Sequence, residues 1–172
     1  MKKTLAILLL ALLCVTAFAE ADKPMPDPNA GEYRSQYPTA PNVMLPGWKE
    51  IHIEADTVRV WMPFFNPEAN EGLYDLTFSL WAALPEDAIG EGIETELVEE
   101  TDRETGETTQ VLYAKLSQSG LVAPGLYLQD VTLFQPVPKG IYKAQVRMQP
   151  YHKEDTTPTQ TSGTMVILLN AG

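Results

Sequence analysis

Ten carboxylates fall within one short stretch of this chain: Glu86, Asp87, Glu91, Glu94, Glu96, Glu99, Glu100, Asp102, Glu104 and Glu107, with Arg103 the only base among them. Converging oxygens of this kind suit calcium, which takes several at once. The EF-hand spacing is absent, so the stretch reads as a solvated acidic hairpin and no metal is assigned. A second oxygen-rich segment is "NPEANE", where Asn66, Glu68, Asn70 and Glu71 would line a small polar pocket. Asparagine side chains also close turns by bonding their own backbone, which is the simpler reading. The loop remains the one to watch, because loops carry most recognition chemistry. His52 and His152 lie far apart, with no HExxH or Cys/His spacing around them. Ser117 and Ser119 have no partner base in the sequence, and no G-x-S-x-G elbow occurs. No glycine loop for phosphate is present. No catalytic, cofactor-binding or metal residue is therefore assigned.

The aromatic residues Trp61, Phe65 and Trp81 fall on the alternation phase opposite the expected core. On an open face they would form a patch for a protein or a sugar. Under a second layer or an arm they would be core.

These candidates sit among runs with a period of two. Ile51 and Ile53 alternate with His52 and Glu54. Val58, Val60, Met62 and Phe64 alternate with Arg59, Trp61, Pro63 and Phe65. Tyr74, Leu76, Phe78, Leu80 and Ala82 form a third run, and Tyr142, Ala144, Val146 and Met148 a fourth. Such alternation sends one set of side chains to each face of a sheet. "NPEANEG", "TDRETGET", "APG" and "PVPKG" separate the runs as turns, and no helical period persists. Gly106 supplies the permissive backbone at a hairpin tip, and Gly125 and Gly140 restart the chain after tight turns. Leu128 and Val131 break phase, which predicts a bulge near Gln129-Asp130. Tyr142 stands at a strand entry, two residues before a core position, where a tyrosine corner bonds back to nearby backbone. The expectation is all-β: an immunoglobulin-like antiparallel β-sandwich of about seven to eight strands.

The N-terminus differs in kind. Lys2 and Lys3 precede an apolar run from Leu5 to Val15, and Ala17-Phe18-Ala19 offers a cleavage site. This is the pattern of a secretory signal peptide over residues 1–19. Cys14 is the only cysteine, and Leu13 before it argues against a lipoprotein site. Residues 20–46 hold six of the fourteen prolines and read as a Pro-rich arm or linker, with Tyr33 and Tyr37 as residues able to dock. The domain proper is then 47–172. The chain carries 12 basic and 23 acidic residues, net −11; without Lys2 and Lys3 the balance is 10 to 23, or −13. Such charge repels nucleic acid and anionic lipid, and no later run suits a transmembrane segment.

Two stretches, "GWKEIHIEADTVRVWMPFFNPEANEGLYDLTFSL" and "LYAKLSQSGLVAPGLYLQDVTLFQPVPKGIYKAQVRMQPY", resemble a family of small exported proteins of anaerobic bacteria. Its marks are an NPE-x-N turn, an SGL-[IV]-x-PG turn and an L-x-x-G-x-Y strand entry. Asn66, Pro67, Glu68 and Asn70 match the first and Ser119 to Gly125 the second; Val137 stands where leucine is usual. The resemblance implies export and architecture but no activity. A looser likeness is to bacterial immunoglobulin-like surface modules.

Together these observations point to an exported, non-catalytic binding or assembly module of the cell envelope or extracellular space. Its partner would be another envelope or extracellular protein, or a glycan. The alternatives are a protease-inhibitor-like sandwich acting through a loop and, third, an exported hydrolase.

Overall fold

The computed structural model describes residues 23–32, 45–102 and 104–172. The leader expected over 1–19, Cys14, Tyr33, Tyr37 and Arg103 lie outside the described residues.

The described chain is almost entirely strand. In order it forms β1 (Ala30–Glu32), β2 (Glu50–Ile53), β3 (Arg59–Val60), β4 (Tyr74–Ala82), β5 (Thr95–Thr101), β6 (Thr108–Gln118), β7 (Leu126–Leu128), β8 (Val131–Thr132), β9 (Gly140–His152) and β10 (Gly163–Ala171). Six of these make one large sheet in the order β2-β10-β9-β4-β6-β5. All its pairings are antiparallel except that of β2 with β10. Two small sheets, β1-β7 and β3-β8, complete the set.

The period of two explains how these sheets pack. Leu76, Phe78, Leu80 and Ala82 of β4, Ala144, Val146 and Met148 of β9, and Ile167 and Leu169 of β10 share one face of the large sheet and are buried. Val60, Met62, Phe64, Leu128, Val131, Leu133 and Val137 come from the small sheets and their flanking segments and close the same core. Phe64 stacks on Phe78 with ring centroids 5.3 Å apart, and Trp48 packs on Phe64 at 5.4 Å. Each such aromatic residue removes a large apolar area from water, which is the main driving force for this packing.

Several local expectations resolve differently. The phase break between Leu128 and Val131 is not a bulge within one strand. The chain there leaves β1 as its partner and takes up β3, and both side chains stay buried. Val58, grouped with Val60 by phase, is 42% exposed because β3 begins only at Arg59. A bulge does occur in β4, between Leu80 and Trp81, where the pairing with β6 shifts. The Pro-rich arm is not wholly a tether. Asp27 N–H donates to the Leu121 carbonyl at 2.8 Å, Leu121 N–H to the Met25 carbonyl at 2.7 Å, and β1 pairs with β7.

The two turn glycines are constrained in different ways. Gly125 has φ +78°, a left-handed conformation that side chains resist. At Gly140 an added Cβ would meet Tyr142 Oη at 2.8 Å. That hydroxyl donates to the Pro138 carbonyl at 3.1 Å and lies 3.4 Å from that of Lys139, tying the β9 entry to the turn before it.

Candidate binding groove

The site follows from the second phase of the same alternation. With the even-numbered residues of β4 committed to the core, Asp75, Thr77, Ser79 and Trp81 face outward. Strand register then sets their neighbours. Ser79 pairs with Arg147 on one side and Gln118 on the other; Arg147 pairs in turn with Thr164, and Thr77 with Gln149. A polar row, Thr164-Arg147-Ser79-Gln118, thus crosses four strands. At the usual strand separation it is roughly 14 Å long.

The docked arm turns this row into a groove. Pro24, Met25, Pro26 and Pro28 stand as one wall, and Tyr151, Ser162 and Gly163 line the far side; the volume is about 680 Å³. Asp27 fixes the wall. Its carboxylate accepts from Gly120 N–H at 3.0 Å and from Asn29 N–H at 2.9 Å. Gly120 must be glycine for this approach, since an added Cβ would collide with the Met25 carbonyl and lie 2.9 Å from Asp27 N. Thr77 is only 5% exposed, yet the hydroxyls of Thr77, Tyr151 and Thr164 bond to no other described residue and are not sealed from solvent. Asp75, next along from Thr77 and paired with Tyr151, has one carboxylate oxygen without a partner among the described residues. Burial pushes its pKa up, and nearby Lys153 opposes that.

From Arg147 in the groove onward, ion pairs cover the outward face. Arg147 lies over the Trp81 ring, 4.2 Å from its centroid, and Lys115 lies 5.4 Å away. Arg147 is held by Glu96 at 2.5 Å and by Gln145 Oε1 at 3.0 and 3.1 Å; Lys115 is held by Glu94 at 3.0 Å. Lys143 pairs with Glu100, which also accepts from Tyr113 Oη at 2.7 Å. β5 is three strands from β9 in the sheet, so these contacts require the β5-β6 hairpin to curl over the face. Burial alone would raise the Glu100 pKa, but the bonds from Lys143 and Tyr113 outweigh it and hold the carboxyl below its ordinary range. Burial, with the Glu100 bond second, pushes the Tyr113 phenol up to about 12. Part of the acidic stretch is thus engaged structure and not wholly a solvated hairpin.

The residues singled out from sequence scatter. Asn66 is fully buried; its amide donates to the Tyr74 carbonyl at 3.0 Å and the Val122 carbonyl at 2.8 Å, and its Oδ1 accepts from Asn70 at 2.7 Å. These two asparagines lock the turn from inside, and Glu68 is exposed. Phe65 is half-buried against Trp48, 6.2 Å between centroids. Trp61 is 59% exposed on the small-sheet layer, between the core residues Val60 and Met62. Trp81, at 4%, points the other way from the large sheet. The two tryptophans therefore do not share a face. His52 lies beside Glu50 on β2, and His152 beside Tyr74 at the end of β9. Among the described residues no three His, Cys, Asp or Glu side chains converge as a metal site, and no helix is long and apolar enough to cross a membrane. The groove itself went unread in the sequence. Thr77 and Gln149 fall on the outward phase of their runs, Thr164 carries no such signal, and nothing in the Pro-rich stretch signals that Asp27 reaches Gly120. No family model, curated protein or solved structure matches the chain.

Proposed function

We propose that this chain is an exported, non-catalytic binding or assembly module of the bacterial cell envelope or extracellular space. The carrying observation is the groove of about 680 Å³ between the docked arm and the outward face of the large sheet. It is concave, lined by side chains with free hydrogen-bonding capacity, and built on strands, which position groups more firmly than loops do. The reading of export rests on the leader pattern and on the resemblance to small exported proteins. An immunoglobulin-like sandwich is supported by three features: the parallel pairing of the first long-sheet strand, β2, with the last, β10; the run β10-β9-β4; and the Tyr142 hydroxyl bonded back to Pro138.

The test is a photo-crosslinking amino acid at Ser162, on the rim of the groove, in the native host. A reproducible adduct that is absent with the same group at Trp61 supports the reading. Equal labelling from both positions, or none from either, overturns it.

One observation favours the inhibitor alternative. Asp102 Oδ1 accepts from Glu104 and Thr105 N–H, both at 2.8 Å, which braces the β5-β6 turn at these residues, as inhibitor loops are braced. A panel of extracellular proteases would reveal it as sub-micromolar inhibition lost on Asp102→Ala.

A further inference from the structure

We propose that the groove takes a neutral, polyhydroxylated chain: an oligosaccharide strand lying across β10, β9, β4 and β6. This rests on the binding-module reading above and names its ligand. The argument starts with charge. Among the described residues Arg147 is the one charged side chain lining the groove, and its guanidinium bonds to Glu96 and Gln145. An anionic ligand finds no unpaired cation there among the described residues and meets the field of a chain carrying net −11.

The hydrogen-bonding groups then select among neutral ligands. The Thr77, Tyr151 and Thr164 hydroxyls are uncommitted among the described residues, and each both donates and accepts. A sugar hydroxyl has the same dual character. An extended peptide asks for something else, namely a row of backbone N–H and C=O groups to pair with. The middle of the groove floor is the face of a sheet, and along β9 its backbone groups are already spent in the ladders to β4 and β10; an open strand edge is left only at the groove's end, where Gly163 to Ile167 of β10 pair with β9 alone. The wall supplies the remaining need. Pyrrolidine rings of Pro24, Pro26 and Pro28, with the Tyr151 ring opposite, give apolar surfaces against which the C–H faces of a pyranose can rest. A floor of roughly 14 Å accommodates a short run of rings.

The experiment titrates the purified protein with cellohexaose, chitohexaose and mannohexaose, with hexagalacturonate as the anionic counterpart and the peptide Pro-Met-Pro-Asp-Pro as the peptide control. Binding is read by calorimetry and by NMR shifts. At least one neutral hexasaccharide should bind. Thr77→Val combined with Thr164→Val should weaken it tenfold or more, and Tyr151→Ala should do so separately, each with an unchanged melting temperature. Trp61→Ala, on the other layer, should leave it unaltered. If the threonine pair unfolds the sheet, Tyr151→Ala carries the test alone. The inference is overturned if no neutral probe binds at millimolar concentration, if the anionic probe or the peptide binds best, or if the groove variants bind as the wild type does. A protein adduct from Ser162 without glycan binding would sink the glycan and leave the binding module standing; failure of both would sink both.

Discussion

Asn66 offers the sharpest test of whether the "NPEAN" turn is interior architecture or a recognition loop. Its side chain is fully buried and makes three hydrogen bonds: to the Tyr74 carbonyl, to the Val122 carbonyl and with the Asn70 amide. At about 1 kcal/mol net for each bond, Asn66→Ala should cost about 3 kcal/mol. The Val122 carbonyl keeps the Leu76 N–H at 3.0 Å, which limits the loss at that site. The Asn70 amide loses its Asn66 acceptor, which adds to it. For a domain of this size about 3 kcal/mol lowers the melting temperature by roughly 6–12 °C. Thermal melting followed by circular dichroism, with urea unfolding alongside, measures this. The double cycle with Asn70→Ala should show coupling of about 1 kcal/mol. Asn66→Asp adds a direction. A carboxylate would face two carbonyls with no proton to offer, so the variant should be weaker at pH 7 than at pH 4, where a protonated acid can donate once. A melting temperature within about 2 °C of wild type for Asn66→Ala would refute the reasoning.

The Tyr113 phenol, held up to about 12 against an ordinary 10.0, contributes stability that is complete below pH 10 and is lost as pH rises through its folded value. Denaturant unfolding between pH 9 and 12 should show a decline of about 2–3 kcal/mol that Tyr113→Phe lacks. Glu100 has the opposite sign: its depressed carboxyl contributes above its ordinary 4.5 and loses that contribution as pH falls through its lower folded value. Lys143→Met should flatten the acid limb measured by melting between pH 5 and 3. Arg147→Ala should uncover Trp81, shifting tryptophan emission to the red, opening it to acrylamide quenching and costing about 1–2 kcal/mol. Gly120→Ala should expel the arm, so that limited proteolysis cuts near residues 23–32 while the domain's melting temperature changes little.

The large sheet was legible because its signal is local. In β4 and β9 every second residue is apolar, and the chain needs no distant information to decide which face to bury. Trp81 shows where that logic stops. Its phase correctly sends it away from the core, but phase is silent on what lies above an outward face. Arg147, 66 positions later, covers it because β9 pairs with β4 in one register and Glu96 holds the guanidinium in place. The same limit hid the site. Ser119-Gly120-Leu121 reads as the start of a turn, whereas in space it is the landing strip for Met25 to Asp27, 93 residues upstream. A glycine chosen for φ and one chosen for close approach look alike in sequence; Gly125 is the first kind and Gly120 the second. The arm and groove are consequently one device. If a ligand rests on the Pro24–Pro28 wall, it stabilises the docked arm by the same free energy that arm docking lends to binding. The arm-expelling Gly120→Ala variant should then bind the groove's ligand more weakly, and ligand should protect the wild-type arm from protease. Binding that ignores the arm in both directions would separate the two and move the site elsewhere on the sheet.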